Sequence, residues 1–512
     1  MDGWKSWVNA LEVLFVMMVS MPLLVAARAT NPNVLFICVD DLRNCLELDG
    51  DPIARTPHLD RLASEGRYFR SHFVQVPACG PSRCSLLTGR RIIQTWDVWN
   101  TDRKEQEPGN PVSMAHHFRR HGYTTVSIGK VSHEPGGTLP PHYAVHQIPF
   151  SWDKAFAPVG HWASPWHAFF AYANGQAYNS VIRWVKDETP RLPFECGQVD
   201  DDGYADYYLA EAGIAELRRL STGHKPFFLA VGFYKPHLPH TAPEKYWKLF
   251  PEEMVGMPSN FFPPQNVDPT ICIHESPELT GHYLWPSGLG SISRQEAINQ
   301  RRAYYAAVAY VDAQIGKLLE ALRTLDCARE TVVVLWSDHG WQLGEHHMFS
   351  KHANYEVATR SPLIIKVPGI NMPGVPTSGI VESVDVFPTL IDLCGLPQTP
   401  GLAGQSLGNM VKDPLASGKS GAYSTHSGGR GYRGHTLRTK DYRLVRWINR
   451  TGHVGLTELY DHKTDPDENV NVAKQFPRLV EDLTGRLRRK MDQVVTSSHE
   501  TDIPSSPVSK GL

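Results

Sequence analysis

A cysteine near residue 80 stands at the predicted start of a helix, where it could act as a nucleophile beside an anion site. The segment reads Cys79-Gly80-Pro81-Ser82-Arg83-Cys84 and continues with Ser85–Arg90 (SLLTGR). Pro81 suits the first turn of a helix, so Cys79 is expected just before its N-terminus. Unpaired backbone N–H groups and Arg83 would attract an anion there and lower the pKa of the thiol. A disulfide between Cys79 and Cys84 is the alternative, although a helical turn separates the two side chains awkwardly.

Two acidic motifs follow apolar runs of strand length. Asp40-Asp41 comes after Asn33–Val39, and Asp338-His339 comes after the run that begins at Thr331. Parallel strands would bring both motifs to one crevice at the carboxyl edge of a sheet. Three carboxylates there repel one another unless a cation neutralises them, and oxygen ligands in this number suit Ca²⁺ or Mg²⁺ better than Zn²⁺. The alternative is that the acids are ordinary helix caps at strand ends.

Three other segments supply cationic side chains. They are Gly129–His133 (GKVSH), Lys235-Pro236-His237 and Lys351-His352. Lysine can bind the oxygens of an anionic ester, and a protonated histidine can donate a proton to a leaving oxygen. Any one of these segments alone is typical of an exposed surface.

The composition excludes several classes of protein. The chain has 512 residues, 51 Lys+Arg against 53 Asp+Glu and a formal net charge of −2, so it lacks the basic excess of a nucleic-acid or anionic-membrane binder. Hydrophobic residues make up 41%, which is too high for a disordered chain. The 13 Trp, 19 Tyr and 19 Phe suit ring-shaped ligands such as sugars but identify no function.

Apolar runs that alternate with helical patterns predict an α/β fold with a large, mostly parallel sheet covered on both faces. The predicted strands are Asn33–Val39, Thr124–Ile128, Pro226–Gly232, Thr331–Trp336 and Pro362–Val367, and the predicted helices are His58–Ser64, Ser113–His121, Asp206–Leu220 and Arg294–Leu325. Long Pro- and Gly-rich segments at Pro135–Pro149 and Phe261–Gly290 are expected to form a pocket.

The chain divides into three predicted parts. Residues 1–29 have the layout of a secretory signal peptide, because the apolar run Val13–Ala27 is too short for a comfortable membrane span and Ala27-Arg28-Ala29 suits cleavage. Residues 30–413 form the predicted catalytic domain. Residues 414–512 form a smaller α+β subdomain, with antiparallel strands at Thr436–Arg438, Tyr442–Ile448 and Thr457–Asp461 and a helix near Phe476–Met491. The eight cysteines show no disulfide framework, and Cys38 and Cys394 are predicted to be buried.

The pattern Cys79-x-Pro81-x-Arg83, extended by Leu87-Thr88-Gly89-Arg90, resembles the signature of type I sulfatases. Similar blocks cover nearly the whole of the chain after residue 29, and His339, where most sulfatases carry Asn, points to the iduronate-2-sulfatase branch. The resemblance implies an alkaline-phosphatase/sulfatase-like fold and hydrolysis of sulfate esters. The segments Pro135–Asp202 and Pro251–Ser291 and the C-terminal part match poorly, so the resemblance identifies the reaction better than the sugar.

The same resemblance implies a set of cofactors and roles. Cys79 is oxidised to formylglycine by a formylglycine-generating enzyme, and one Ca²⁺ is bound by Asp40, Asp41, Cys79, Asp338 and His339. The remaining catalytic residues are Arg83, Lys130, His133, His237 and Lys351. His237 is assigned as the proton donor to the leaving sugar oxygen and His133 as the base, although the reverse assignment stays open.

The predicted substrate is a sulfated oligo- or polysaccharide, such as the end of a glycosaminoglycan or algal chain containing uronate. The signal peptide predicts export, to the periplasm or medium in a bacterium and to the lysosome or the outside of the cell in a eukaryote, without stable membrane insertion. Two alternatives are a metal-dependent phosphatase or phosphodiesterase of the same superfamily, which would need Ser or Thr as nucleophile, and a catalytically silent binder of sulfated glycans.

Overall fold

The central sheet is built largely from the apolar runs that the sequence marks as strands. A computed structural model describes residues 31–92, 113–139, 145–148, 150–179, 191–288 and 291–495. Among these residues the strands are β1 Asn33–Asp40, β2 Arg67–Tyr68, β3 His72–Phe73, β4 Arg91–Ile92, β5 Thr124–Gly129, β6 Thr138–Leu139, β7 Val145–His146, β8 Lys154–Phe156, β9 Phe194–Gly197, β10 Phe227–Pro236, β11 His240–Pro243, β12 Thr331–Ser337, β13 Leu363–Lys366, β14 Val381–Glu382, β15 Ala422–Ser427, β16 Tyr432–Arg438, β17 Tyr442–Asn449, β18 Val454–Asp461 and β19 Val494–Val495.

Seven of these strands form the central sheet in the order β2-β13-β12-β1-β10-β5-β8. The strands β12, β1, β10, β5 and β8 run parallel to one another. In contrast, β13 pairs antiparallel with β12, and β2 pairs antiparallel with β13. The predicted α/β fold with a mostly parallel sheet is therefore confirmed, and the run Pro362–Val367 contributes its antiparallel member.

The sheet is covered by helices on both faces because its strands are apolar on both faces. In β1, Leu35 and Ile37 pack into one core cluster, while Val34 and Phe36 pack into another. All four side chains are fully buried. Side chains alternate along a strand, so a strand without polar positions needs a layer on each side.

Several helices supply these two layers. The α-helices of the described residues are α1 Pro57–Glu65, α2 Cys79–Thr88, α3 Met114–Arg120, α4 Pro165–Phe169, α5 Ala205–Ser221, α6 Glu244–Trp247, α7 Glu252–Val255, α8 Pro269–Cys272, α9 Pro277–His282, α10 Arg294–Arg323, α11 Glu356–Thr359, α12 Val386–Leu393, α13 Gly408–Lys412 and α14 Pro477–Met491. The longest, α10, begins with a capping box in which Ser293 and Glu296 satisfy each other's backbone N–H groups. It lies with α1 and α5 on one face of the sheet, whereas α2, α3 and α12 lie on the other.

The C-terminal part carries a second sheet of four antiparallel strands in the order β15-β16-β17-β18. Leu483 and Leu487 of α14 pack against Leu444 and Leu459 of this sheet. The three predicted strands and the closing helix lie where the sequence places them, and β15 is an additional strand. The division between residues 413 and 414 stays a prediction.

Three further predictions concern the N-terminal segment, membrane spans and the cysteines. The predicted signal peptide, residues 1–29, lies outside the described residues. Among the residues that are described, no helix combines the length and apolarity needed to cross a bilayer. The eight cysteines all lie within the described residues and form no disulfide with one another, and Cys38 and Cys394 are buried as predicted.

A close backbone approach places the residue that follows β5. A Cβ atom at Gly232 of β10 would lie 2.1 Å from the carbonyl oxygen of Lys130, and one at Gly129 would lie 2.2 Å from the carbonyl oxygen of Gly232. Gly129 also has a φ of 71°, which favours glycine. The two glycines therefore let β5 and β10 run close together up to the point where Lys130 leaves the sheet.

We predict that Gly232→Ala lowers the free energy of unfolding by about 1–3 kcal/mol, because the new methyl group must push apart two packed backbones. Urea denaturation measures the change. The matched control is Gly485→Ala in α14, where a Cβ atom would meet nothing within 4 Å and alanine should stabilise the helix slightly. Equal denaturation midpoints for the Gly232→Ala variant and the parent would contradict the prediction.

Candidate active site

The acidic residues of the site come from neighbouring parallel strands. Asp40 is the last residue of β1, and Asp338 directly follows β12, which pairs in parallel with β1. Asp41 has a φ of 63°, and its backbone N–H donates to Asp338 Oδ1 at 3.0 Å. The three carboxylates are fully buried. The strand order thus brings together the acids that the sequence separates by almost 300 positions.

Arg83 of α2 bridges two of these acids. Its Nε lies 3.0 Å from Asp338 Oδ2, and its Nη2 lies 2.8 Å from Asp40 Oδ1. A third nitrogen, Nη1, donates to the carbonyl oxygens of Lys130 and Val131. Although burial opposes it, the two acids raise the pKa of the guanidinium, which therefore remains charged. One side chain consequently ties α2 to the carboxyl ends of β1, β5 and β12.

Cys79 is the first residue of α2 rather than the residue before it. Its Sγ lies 3.3 Å from His339 Nε2, 3.4 Å from Lys351 Nζ and 3.7 Å from Asp41 Oδ1. Burial and the nearby Asp40 raise the pKa of the thiol well above its ordinary value, so the lowered pKa expected at a helix start is wrong. Loss of solvent on burial and the nearby acids raise the thiol pKa by more than Lys130 and Lys351 lower it. The alternative disulfide with Cys84 is absent.

Two lysines face the acids from different segments. Lys130 follows β5, and its Nζ lies 2.6 Å from Asp40 Oδ2. Lys351 lies in the connection between β12 and β13, with Nζ 3.3 Å from each oxygen of Asp41. Although burial lowers the pKa of Lys351, Asp41 raises it well above the ordinary value. Each of these lysines therefore supplies a positive charge next to a buried carboxylate of the site.

Three histidines converge on the same volume. His339 Nδ1 donates to the carbonyl oxygen of Gly340 at 3.0 Å, which leaves Nε2 facing the acids, 3.4 Å from Asp41 Oδ1. Burial lowers the pKa of His339 to about 4, so the ring is neutral. His237 Nε2 lies 4.0 Å from Asp41 Oδ2. His133 is half-buried, and desolvation together with Lys130 lowers its pKa to about 3.

Two overlapping groups of side chains could hold a metal ion. Asp41, Cys79, Asp338 and His339 form one, and Asp40, Asp41, Cys79 and His237 form the other; within each, one ligand atom per residue lies within 4.8 Å of the rest. Burial, with repulsion from Asp40, raises the pKa of Asp338 to about 7. Asp40 itself is held well below its ordinary pKa by Lys130 and Arg83, although burial opposes this. The site therefore favours a cation near Asp338 and Asp41.

A third acidic group lies outside this site. Glu356, His462 and Glu468 also approach within 4.8 Å of one another. However, Arg443 forms ion pairs with both glutamates, and Arg438 lies 2.9 Å from Glu356. These arginines already neutralise the two carboxylates.

Five of the predicted site residues line a cavity of about 310 Å³. Trp166, Phe169 and Phe170 of the α4 region form an aromatic wall, and Lys130 Nζ lies 4.1 Å above the ring of Phe169. The other described lining residues are Ala78, Cys79, Gly80, Pro81, His133, Asn179, His237, Glu278, His282, Lys351 and His352. Of the two Pro- and Gly-rich segments expected to form a pocket, Phe261–Gly290 contributes Glu278 and His282, whereas no described residue of Pro135–Pro149 lines this cavity.

Sequence reasoning missed Glu278 and the aromatic wall. The only signal was regional: Glu278 lies within the segment Phe261–Gly290, which was expected to line a pocket, but nothing in its neighbours distinguishes it from Glu275. Trp166 likewise belongs to a long segment whose path the sequence does not reveal. All the predicted catalytic and metal-binding residues, in contrast, lie together.

Comparison with known families identifies two matches. The family described as Sulfatase matches residues 32–396, and the family described as N-sulphoglucosamine sulphohydrolase, C-terminal, matches residues 344–496. The first match covers well over half of the chain and includes every predicted site residue. The second covers the C-terminal sheet.

Individual relatives agree with these matches. The iduronate 2-sulfatase of Mus musculus is 32% identical over 403 residues, covering 72% of this chain and 69% of the relative. A sulfatase of Formosa agariphila is 30% identical over 480 residues, covering 88% and 85%. Among solved structures, BT1596, a 2-O GAG sulfatase, matches with a TM-score of 0.65 and 21% identity over 93% of this chain and 95% of that one. At this identity the structural match establishes the fold.

We predict that Arg83→Ala lowers the free energy of unfolding by about 3–5 kcal/mol, because it leaves Asp40 and Asp338 buried without their shared counter-charge. Urea denaturation in the presence of a chelator measures this loss without an added cation. The control is Arg61→Ala, whose exposed ion pair with Glu65 at 3.1 Å should contribute less than about 1 kcal/mol. Similar losses in the two variants would contradict the bridging role of Arg83.

Proposed function

The chain belongs to the sulfatase family and is a sulfuric ester hydrolase; from this premise we propose that it removes sulfate from a carbohydrate. The nucleophile is formylglycine made from Cys79, and the cofactor is one Ca²⁺ bound by Asp40, Asp41, Asp338 and His339 together with residue 79. The observation that carries the proposal is the convergence of Cys79, three buried acids and two lysines at one cavity.

The chemistry of the donor set supports a divalent cation. Burial raises the pKa of Asp41, as it does that of Asp338, so their charged forms need a further positive charge. Carboxylate oxygens favour Ca²⁺ or Mg²⁺, and the neutral Nε2 of His339 can join them. When present, the cation and the hydrated aldehyde of formylglycine would supply one hydroxyl as the nucleophile and a second hydroxyl whose loss of a proton can expel the sulfate and restore the aldehyde.

The lysines are placed to hold the sulfate group. Lys351 Nζ lies 3.4 Å from the Sγ atom of Cys79, which marks the position of the nucleophile. Lys130, which follows β5, lines the same cavity. Both ammonium groups can bind sulfate oxygens and stabilise the charge that develops as the S–O bond breaks. Arg83 binds Asp40 and Asp338 and belongs to the same helix as residue 79, so it fixes the position of that residue relative to the acids.

The histidines divide the proton transfers between them. His237 Nδ1 donates to the carbonyl oxygen of Leu238 at 2.6 Å, so Nε2 is the atom that faces the cavity. It can donate a proton to the departing sugar oxygen. His133 lines the cavity, and its lowered pKa of about 3 keeps it neutral, as a base must be to accept a proton. These contacts support His237 as acid and His133 as base.

The relatives and the cavity support a sugar as the alcohol part of the ester. The named relatives are an iduronate 2-sulfatase and a 2-O GAG sulfatase. Aromatic side chains such as Trp166 provide the flat apolar surface on which a sugar ring packs. We propose a sulfated uronate or related sugar at a chain end. We further propose export through the signal peptide and oxidation of Cys79 by a formylglycine-generating enzyme.

We predict that the peptide containing Cys79, from protein made in a host with the maturation machinery, is about 18 Da lighter than its thiol form, since an aldehyde replaces the thiol. Mass spectrometry of the tryptic digest measures this. The Cys79→Ser variant, made in the same host, should release no sulfate above background. An unmodified Cys79 thiol in active protein would contradict the formylglycine proposal, and an unmodified, inactive protein would favour the silent glycan binder.

We predict that Asp338→Asn loses Ca²⁺ binding, measured by isothermal calorimetry, and lowers the rate of sulfate release by at least about 100-fold. The amide keeps the shape of the side chain but removes the charge that attracts the cation. Asp392→Asn is the control, because Asp392 is exposed and bonds to Ser406 far along the chain from the site. Parent-like affinity for Ca²⁺ in the Asp338→Asn variant would show that the metal lies elsewhere.

A further inference from the structure

Glu278 is an acidic residue held at the wall of the cavity by a short, anchored helix. It is the second residue of α9, whose first turn is capped by Ser276, and the next residue, Leu279, is almost fully buried in the core. The Glu278 side chain is 15% exposed, whereas those of His237 and Lys351 are 4% exposed. The carboxylate therefore lies nearer to the cavity opening than the groups it contacts.

The carboxylate of Glu278 contacts two residues of the reaction site. Oε1 lies 2.9 Å from His237 Nε2, and Oε2 lies 3.0 Å from Lys351 Nζ. Although burial opposes ionisation, the charges of Lys351 and His237 hold the pKa of Glu278 well below its ordinary value. The group is thus a carboxylate, which accepts hydrogen bonds and donates none.

The charge of Lys351 alone does not require this carboxylate. Lys351 already has a counter-ion in Asp41, at 3.3 Å. A second negative charge beside Lys351 offsets the charge of the lysine and repels the sulfate anion, so the pair attracts sulfate more weakly than Lys351 would alone. Among the described residues that line the cavity, Glu278 is the sole acid. The carboxylate of Glu278 therefore does not help to bind the sulfate group, and we expect it to contact another part of the substrate.

The sugar supplies such a contact. The leaving oxygen must approach His237 Nε2 to receive its proton, and Oε1 of Glu278 is one hydrogen-bond length from that atom. The substituent on the neighbouring ring carbon then comes within reach of the carboxylate. Phe169, which also lines the cavity, has its ring centroid 4.5 Å from that of His237, so an apolar surface adjoins the position of the leaving oxygen.

We propose that Glu278 is a specificity-determining residue that accepts a hydrogen bond from a hydroxyl group on the ring carbon next to the sulfate. This inference rests on the proposed function and narrows its substrate class. The enzyme acts on sugars whose neighbouring position carries a hydroxyl, and it discriminates against sugars with a second sulfate there, because a carboxylate repels that anion and offers it no donor.

The test compares two glycosides that differ at one position, one with a single sulfate beside a free hydroxyl and one with sulfate on both carbons. Several sugars, including a uronate, serve as the parent ring. Initial rates of sulfate release give kcat/KM for each. We expect the parent enzyme to prefer the monosulfated glycoside by at least about 10-fold, and Glu278→Gln, whose amide can donate to a sulfate, to reduce this ratio about 10-fold.

The ratio separates substrate recognition from a structural role. If Glu278 acted only by holding Lys351 and His237, both glycosides would lose activity in the Glu278→Gln variant and their ratio would stay the same, which would overturn the proposal. Loss of all turnover on both glycosides would overturn it in the same way. The control is Glu275→Gln, three residues earlier in the same segment, where Glu275 bonds to the backbone of Gly288 and does not line the cavity. This variant should keep the parent ratio.

Failure of this inference can be told apart from failure of the proposed function. If the parent enzyme releases no sulfate from any glycoside, the carbohydrate sulfatase proposal fails. If it releases sulfate from both members of a pair at equal rates, that proposal stands and the role of Glu278 falls.

Discussion

The buried contact of Arg83 with Asp40 and Asp338 is the interaction on which the rest of the site depends. Parallel strands deliver two carboxylates to the same edge of the sheet, where each would be unstable without a positive charge. The guanidinium supplies that charge and carries α2 with it. Cys79, one helical turn before Arg83, is consequently held beside the acids. The position of the proposed nucleophile thus follows from the ion pairs that Arg83 makes with the two acids.

The net charge of −2 conceals a strong separation of charge inside the protein. Buried acids occupy the floor of the site, and Lys130 and Lys351 stand between them and the cavity. A surface without basic excess attracts no long polyanion, yet one sulfate group meets local positive charge at the end of the cavity. Glu278 then adds a negative charge nearer the opening, so the sign alternates with depth.

The fold was predictable where burial leaves a clear pattern. The strand β1 is apolar from Val34 to Val39, because both faces of the sheet are covered, and it ends at Asp40, the acid that enters the site. The strand β15 was not predicted, because its sequence, AYSTHS, alternates small and polar residues that are equally typical of a loop. Its place as the outer partner of β16 depends on contacts that the segment itself does not encode.

The sequence by itself determined the reaction chemistry. The Cys79-x-Pro81-x-Arg83 pattern and the acids that end two apolar runs are local signals, since residue type and strand position are both visible in one chain. Tertiary structure alone decided the environment of those groups. The thiol pKa is raised rather than lowered, because the neighbours that dehydrate Cys79 come from distant segments. Glu278 became part of the site in the same way, because α9 is carried there by packing of Leu279 rather than by any pattern around the glutamate.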